Sequence, residues 1–304
     1  MLCRRATLPL SLLVAFTACG TRAEVGTPMP RPTVRISMRS TEILHAFVNL
    51  PQFSIQTVTI GDSVKRLEAL QAGTIDVTAV VADVAYLAFN GGLPDHSAPR
   101  PKIRGMALMS RAVVHLLVGP KVDLSHGFRG MRIVLGDPTG GNSPLGERLV
   151  NSTGVPTSAI RGELTTYNLA VDELLKGDVD ALIATVLPPQ GFIARALRGG
   201  ARLIEIDGPE VEALRAYYPL LRRTLIPRGT YPGQDSPLHT VGVDQLLVCR
   251  ADLGNDSVYE LTRALFEDVP EHVRRQMDPQ RAPATVIPLH PGAARYYRER
   301  ELSR

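Results

Sequence analysis

The chain has 304 residues, with 34 Lys and Arg against 30 Asp and Glu, a formal charge of +4, and only three cysteines. The basic residues are scattered and form no stripe with interleaved aromatics, which argues against a nucleic-acid partner, while a modest positive balance is compatible with an anionic ligand. The cysteines lack zinc-type spacing and are too few for a disulfide scaffold, so neither a structural metal nor a cofactor is expected.

Export signals come first in the chain. Arg4 and Arg5 form a positive n-region, Leu8 to Phe16 is almost continuously apolar, and Thr17-Ala18-Cys19 follows. That layout is a signal peptide with a lipoprotein-type cleavage site, so residues 1–18 are expected to be removed and Cys19 to carry lipid. Phe16 stands where a lipobox usually has Leu. The apolar core is about ten residues, short of the ~20 a membrane-spanning helix needs. Residues 19–31 are polar, rich in Pro and without periodicity, as a flexible tether should be. Cys3 leaves with the signal, so Cys249, in the apolar run VDQLLVCR, is the remaining thiol and reads as a small buried hydrophobe.

From Thr33 onward, short β-branched runs alternate with amphipathic stretches, the mark of a parallel α/β architecture. Strands are expected at Thr33–Ser37 and Phe53–Ile60, then a helix over Ser63–Ala72 closed by Gly73, a strand at Ile75–Val81 and a helix from Val84. Ile103–Ser110 and Val113–Val118 read as two strands. Arg132–Gly136 reads as a strand entering a glycine-rich turn, with a helix leaving it at Pro144–Asn151. A short strand at Glu163–Thr166, a helix at Asn168–Leu175 stopped by Gly177, and a strand at Ala181–Val186 follow. Gly191–Arg198 and Ser257–Glu267 read as helices, Ala201–Ile206 and Val241–Cys249 as strands. One unit occurs twice, as SVKRLEALQAGTIDVTAVV and NLAVDELLKGDVDALIATV: a helix ends on Gly73 or Gly177 and turns into a strand opening on Asp76 or Asp180. Such a repeat points to two similar lobes, although two unrelated strand–helix–strand units also look alike.

Five segments from Ser63 to the C-terminus then carry a family pattern, in order. They are GDSVKRLEALQAGTIDVTAVVADVAYLA, RIVLGDPTGGNSPLG, VDELLKGDVDALIATVLPPQGFI, YYPLLRRTLIPRGTYPGQDSPLHTVGVDQLLVCR and PLHPGAARYYRE. Together they resemble the TAXI solute-binding subunits of TRAP transporters. The pattern departs at Ser37–Pro51, which lacks the usual glycine-rich turn, at Asn142-Ser143-Pro144, and at Leu187, where a glycine is common.

The resemblance implies a type II periplasmic-binding-protein-like α/β fold with two lobes joined by a hinge of crossing strands. Lobe I would comprise residues 32–118 and 240–304, and lobe II residues 119–239, with Val114–Leu117 and Val241–Leu247 as hinge strands. Ligand in such a fold lies at the carboxyl ends of the strands. The expected site residues are Asp62, Ser63, Asp83 and Tyr86 in lobe I, with Thr139, Gly140, Gly141, Asn142, Ser143, Tyr167 and Thr185 in lobe II. Ser143 at a helix start, after a turn with more glycine than a cap requires, suits a carboxylate or phosphate; it also suits a plain N-cap. Asp62 and Ser63 carry the same ambiguity. An acid at Asp83 would meet an ammonium group, so an amino acid or polar carboxylate is the expected ligand.

Enzyme signatures are missing: there is no G-x-S-x-G elbow, no Ser-x-x-Lys, no Walker or dinucleotide fingerprint, and Cys249 has no base near it in sequence. His290 and His115 read as hydrogen-bonded or packed structural residues. The expectation is a monomeric, lipid-anchored binder at the cell envelope that delivers a small molecule to membrane permease subunits. A ligand-sensing subunit docking on a receptor, or an enzyme on the same fold, are the alternatives.

Overall fold

A computed structural model describes residues 31–61, 63–93, 98–125, 127–135, 143–152, 160–161, 166–218 and 220–302. The signal peptide, Cys19 and nearly all of the tether lie outside the described residues. Asp62, Thr139, Gly140, Gly141, Asn142 and the side chain of Ser143 lie outside them too.

Pro32–Arg304 form one compact unit. Its first part runs β1 (Thr33–Ser37), α1 (Thr41–Val48), β2 (Ser54–Thr57), α2 (Ser63–Ala72), β3 (Val77–Val81), α3 (Ala82–Asn90) and β4 (Ile103–Val118). Then come β5 (Ile133–Leu135), α4 (Ser143–Ser152), β6 (Ile160–Arg161), α5 (Tyr167–Lys176), β7 (Ala181–Val186), α6 (Gly191–Arg198), β8 (Arg202–Ile204) and α7 (Pro209–Tyr217). The chain closes with β9 (Arg222–Ile226), β10 (Leu238–Arg250), α8 (Asn255–Glu267), α9 (Glu271–Arg274) and α10 (Pro291–Leu302). The strands form a single mixed sheet in the order β2-β1-β3-β10-β4-β7-β5-β6, with β8 also on β4 and β9 also on β10.

That order is a palindrome of one motif. The parallel triplet β2-β1-β3 joins β10 antiparallel, and the parallel triplet β6-β5-β7 joins β4 antiparallel. The repeated sequence unit is therefore a repeated structural unit, and a matching ion pair stitches each copy. Arg35 at β1 donates from Nε and Nη2 to Asp76, each at 2.9 Å, and its backbone N–H donates to the same carboxylate at 2.7 Å. Arg132, just before β5, holds Asp180 with the same three bonds at 3.0, 2.8 and 2.7 Å. Each aspartate sits three residues after a glycine that closes a helix with positive φ, +73° at Gly73 and +90° at Gly177. An L side chain is strained there, so glycine sets the reversal that delivers each aspartate to its arginine.

Two expected strands, Ile103–Ser110 and Val113–Val118, are one. The polar pair Ser110-Arg111 that looks like a break is a cross-strand contact: Arg111 lies opposite Asp244 of β10 and donates to it at 2.8 Å. β4 thus pairs with β10 through its first part and with β7 through its second. Ser37–Pro51 holds a short helix that the missing glycines obscured. Ser40 caps α1 by accepting from the Ile43 N–H, and Ile43, Ala46 and Phe47 bury one face. Helix α7 and strand β9 are likewise new relative to the expectation, as is β6 at Ile160–Arg161, while the short strand expected at Glu163–Thr166 falls, but for Thr166, outside the described residues.

Helices cover both faces of the sheet. Val34, Ile36, Phe47, Leu265 and Phe266 pack together on one side, and Leu67, Leu70 and Ile75 on the other. Each such fully buried side chain contributes about 2 kcal/mol of transfer free energy. The C-terminal His-Pro-Gly-Ala segment is an anchor. The Gly105 N–H of β4 donates to the Pro288 carbonyl at 2.9 Å, and the His290 N–H donates back to the Gly105 carbonyl at 2.8 Å. Gly292 lets α10 touch α8, because a Cβ there would lie 2.2 Å from the Asn255 carbonyl oxygen. Tyr296 then stacks on Phe266 with centroids 5.9 Å apart, and the Tyr297 hydroxyl donates to the Met106 carbonyl at 2.9 Å. No helix among the described residues is long and apolar enough to cross a membrane.

Candidate functional site

The strand register brings the carboxyl ends of the two triplets together. Val81, the last residue of β3, pairs with Gln245; the adjoining Asp244 pairs with Arg111; Val113, two residues on, pairs with Val186, the last residue of β7. A cleft of about 590 Å³ opens over this meeting point, a size that suits a small metabolite. Its walls come from the ends of β1, β3 and β7, the starts of α1, α2 and α5, and the loop carrying α9. The β4–β10 ladder shifts register between Asp244 and Leu246, and Gln245 at that irregularity lines the cleft floor.

Of the residues expected from sequence, Ser63 and Tyr167 are walls of this cleft, one from each half of the sheet. Ser63 opens α2. Tyr167 opens α5 behind Thr166, whose hydroxyl caps the helix by accepting from Leu169 at 3.2 Å. The Tyr167 ring stacks on Phe192 of α6 at 4.5 Å, which fixes its face. Asp83 is buried in the first turn of α3, Thr185 is buried on β7 opposite Val114, and Tyr86 on α3 is 45% exposed. None of these three lines the cleft.

The walls also carry groups that sequence reasoning missed. Arg66 on α2 is only 5% exposed, and its Nη2 donates to the Ser63 hydroxyl at 2.9 Å. Arg39, from the turn after β1, and His272, on α9, add two further basic groups. Arg66 carried a faint signal: it precedes the core residue Leu67 and follows Ser63 by three, so it borders the buried face of its helix. Arg39 and His272 carried none.

Glu42 at the start of α1 is the acid among the described wall residues. Its carboxyl is held below the ordinary range by its own backbone N–H, then by the hydroxyls of Thr41 and Ser40, and by the nearby His272. The opposite wall is apolar, built from Val186, Leu187 and the cis-linked Pro188–Pro189. Leu187, where the sequence pattern departs, is thus a cleft residue.

The remaining candidate chemistry lies elsewhere. Cys249 is fully buried and burial pushes its thiol up, which makes it inert. His290 accepts the Gly292 N–H on Nδ1 at 3.1 Å and its pKa is lowered by burial, in keeping with a structural role. The described residues contain no group of three or more His, Cys, Asp or Glu arranged to hold a metal.

Among solved structures, the chain is similar to the periplasmic aliphatic sulphonate binding protein SsuA from Escherichia coli, with 14% identity, a TM-score of 0.43, and coverage of 88% of this chain and 83% of that one. It is similar to the alkanesulfonate-binding protein SsuA from Xanthomonas axonopodis pv. citri, bound to MOPS, with 16% identity, a TM-score of 0.46, and 89% and 91% coverage. PhnD1 from Prochlorococcus marinus (MIT 9301), in complex with methylphosphonate, matches with 10% identity, a TM-score of 0.49, and 78% and 85% coverage. The sequence model of the NMT1-like family matches residues 42–300, so the chain belongs to the NMT1-like family.

Proposed function

We propose that this protein is an extracytoplasmic solute-binding protein that captures a small polar organic anion or amino acid in its cleft and delivers it to a membrane permease. The observation that carries the reading is the convergence of two strand triplets, carboxyl ends first, on one metabolite-sized cleft. Its described walls hold Arg39, Arg66 and His272 against the single acid Glu42. An excess of basic over acidic groups among the described wall residues is compatible with an anionic ligand. The ordered segments that resemble TAXI subunits support a TRAP-type permease as recipient. They also support two lobes, residues 32–118 with 240–304 and residues 119–239, closing about the β4 and β10 crossing strands. The loop from Gly136 to Ser143 would face the ligand from lobe II.

A thermal-shift screen of residues 26–304 against mono- and dicarboxylates, sulfonates, amino acids and sugars tests this reading. A ligand at 100 times its dissociation constant adds about 2.7 kcal/mol of stability, a visible shift. Stabilisation by an anion or amino acid supports solute binding, and no stabilisation by any class removes it. Lipid attachment has its own test: metabolic labelling with palmitate should mark the wild-type chain and be lost in Cys19→Ser, and labelling that survives the change would place the anchor elsewhere.

A further inference from the structure

Within the solute-binding reading, on which this inference rests, we propose that the cleft selects a small molecule with an apolar body, a hydrocarbon chain or ring that packs on a face of methionines. In one of the hydrophobic cores, Ile43 and Met277 are buried together with Phe47 and Leu247. Met38, Met109 and Val273 pack against the outside of that cluster and are only partly buried. All five of Met38, Ile43, Met109, Val273 and Met277 line the cleft. The core therefore continues to the cleft wall along this face, which gathers three of the seven methionines in the chain. Met38 follows β1, Met109 lies on β4 and Met277 follows α9. Their meeting is a product of the fold and not of a local run in the sequence.

Thioether side chains are flexible and polarisable and mould to hydrophobic partners of varied shape. Covering such partly exposed apolar groups with ligand carbon, in place of water, is favourable in proportion to the area removed from water. From the other half of the sheet, Val186 at the end of β7 and Leu187 after it add partly buried apolar side chains to the lining. A sugar would set its hydroxyls against these carbons and thioethers, and a hydroxyl that loses water without gaining a partner is disfavoured. Gln245 and Gln276, also on the lining, can donate and accept toward the ligand's other end. It is the body of the ligand that the methionine face selects, whatever the charge of the polar end.

Isothermal titration of the purified chain with three pairs matched in their polar end tests the proposal: acetate and hexanoate, acetamide and hexanamide, ethylammonium and hexylammonium. The members of each pair differ by four methylenes. In at least one pair the six-carbon member should bind one-to-one, and its two-carbon partner about tenfold or more weaker. Which pair responds reads out the charge of the polar end. Met38→Gln and Met109→Gln exchange a partly exposed thioether for a polar side chain of similar length, and each should narrow that gap by about threefold or more. Equal affinities within every pair that binds, or a gap unchanged in both variants, would overturn the assignment. If neither variant folds, the matched pairs on the wild-type chain decide alone. No binding by any of the six compounds rejects the apolar body. Stabilisation by a sugar or a short polar acid in the wider thermal screen would then still leave a solute-binding protein, and stabilisation by nothing would remove both readings.

Discussion

His115 lies on β4 with no exposed surface, its Nδ1 2.9 Å from the Val113 carbonyl and its Nε2 2.9 Å from the Tyr231 hydroxyl. A carbonyl only accepts, so Nδ1 carries the proton and Nε2 accepts from the tyrosine. This pair ties β4 to the turn after β9, and burial favours the neutral imidazole. Burial pushes the His115 pKa from 6.5 down to about 4. The folded protein therefore binds this proton less readily than the unfolded chain does. The stability tied to it is complete above pH 6.5 and is lost as pH falls toward 4, amounting to about 3 kcal/mol. Urea unfolding of the wild-type chain should show that loss between neutral pH and pH 4, on top of a smaller contribution of the same sign from buried His290. His115→Phe should lower stability at neutral pH and flatten the decline; an unchanged slope in the variant would mean that other groups carry it.

At the scale of elements, the two arginine–aspartate stitches have the same bonds and different surroundings. The Asp76 side chain is 2% exposed and also receives Arg250 at 3.1 Å, whereas Asp180 and Arg132 are 24% and 46% exposed. Breaking a buried pair strands its partner charges, while water screens an exposed one. Asp76→Asn should cost about 3 kcal/mol in chemical denaturation, the range for opening a buried pair. Asp180→Asn should cost clearly less. Equal losses would show that the shared backbone bonds, and not the burial of charge, carry the stitches. This element-level symmetry was legible in the sequence because its ingredients are local: a glycine that ends a helix, an aspartate three residues on, and an apolar strand behind it. What sequence did not reveal was the arginine at the other end of each stitch, 41 residues away for Arg35 and 48 for Arg132.

For the whole molecule, β4 and β10 are the axis on which both triplets hang. Leu246, Leu247 and Val248 of β10 are bonded to β3 on one side and β4 on the other, while β2 is the outermost strand at one end of the sheet. Native-state hydrogen exchange should find these β10 amides among the slowest, opening only with global unfolding, and those of Ser54–Thr57 much faster. Comparable rates would mean that the crossing strands open locally. A hinge built on them would then be a soft one, against the expectation for two bodies rocking about a well-bonded axis.

Sequence by itself determined the class of fold and the repeated unit, since alternating apolar periods and glycine helix stops depend on near neighbours in the chain. It also identified the C-terminal histidine–glycine segment as structural and two of the cleft residues, Ser63 and Tyr167, because helix starts that follow strands are recognisable locally. Tertiary structure alone decided that β4 is continuous, because the partner that makes Arg111 part of a ladder is Asp244, 133 residues distant. It alone decided which charges face the cleft. An arginine at a helical boundary reads as a solvated side chain until packing buries it, and only the docking of α2 against β3 turns Arg66 into a buried side chain at the site.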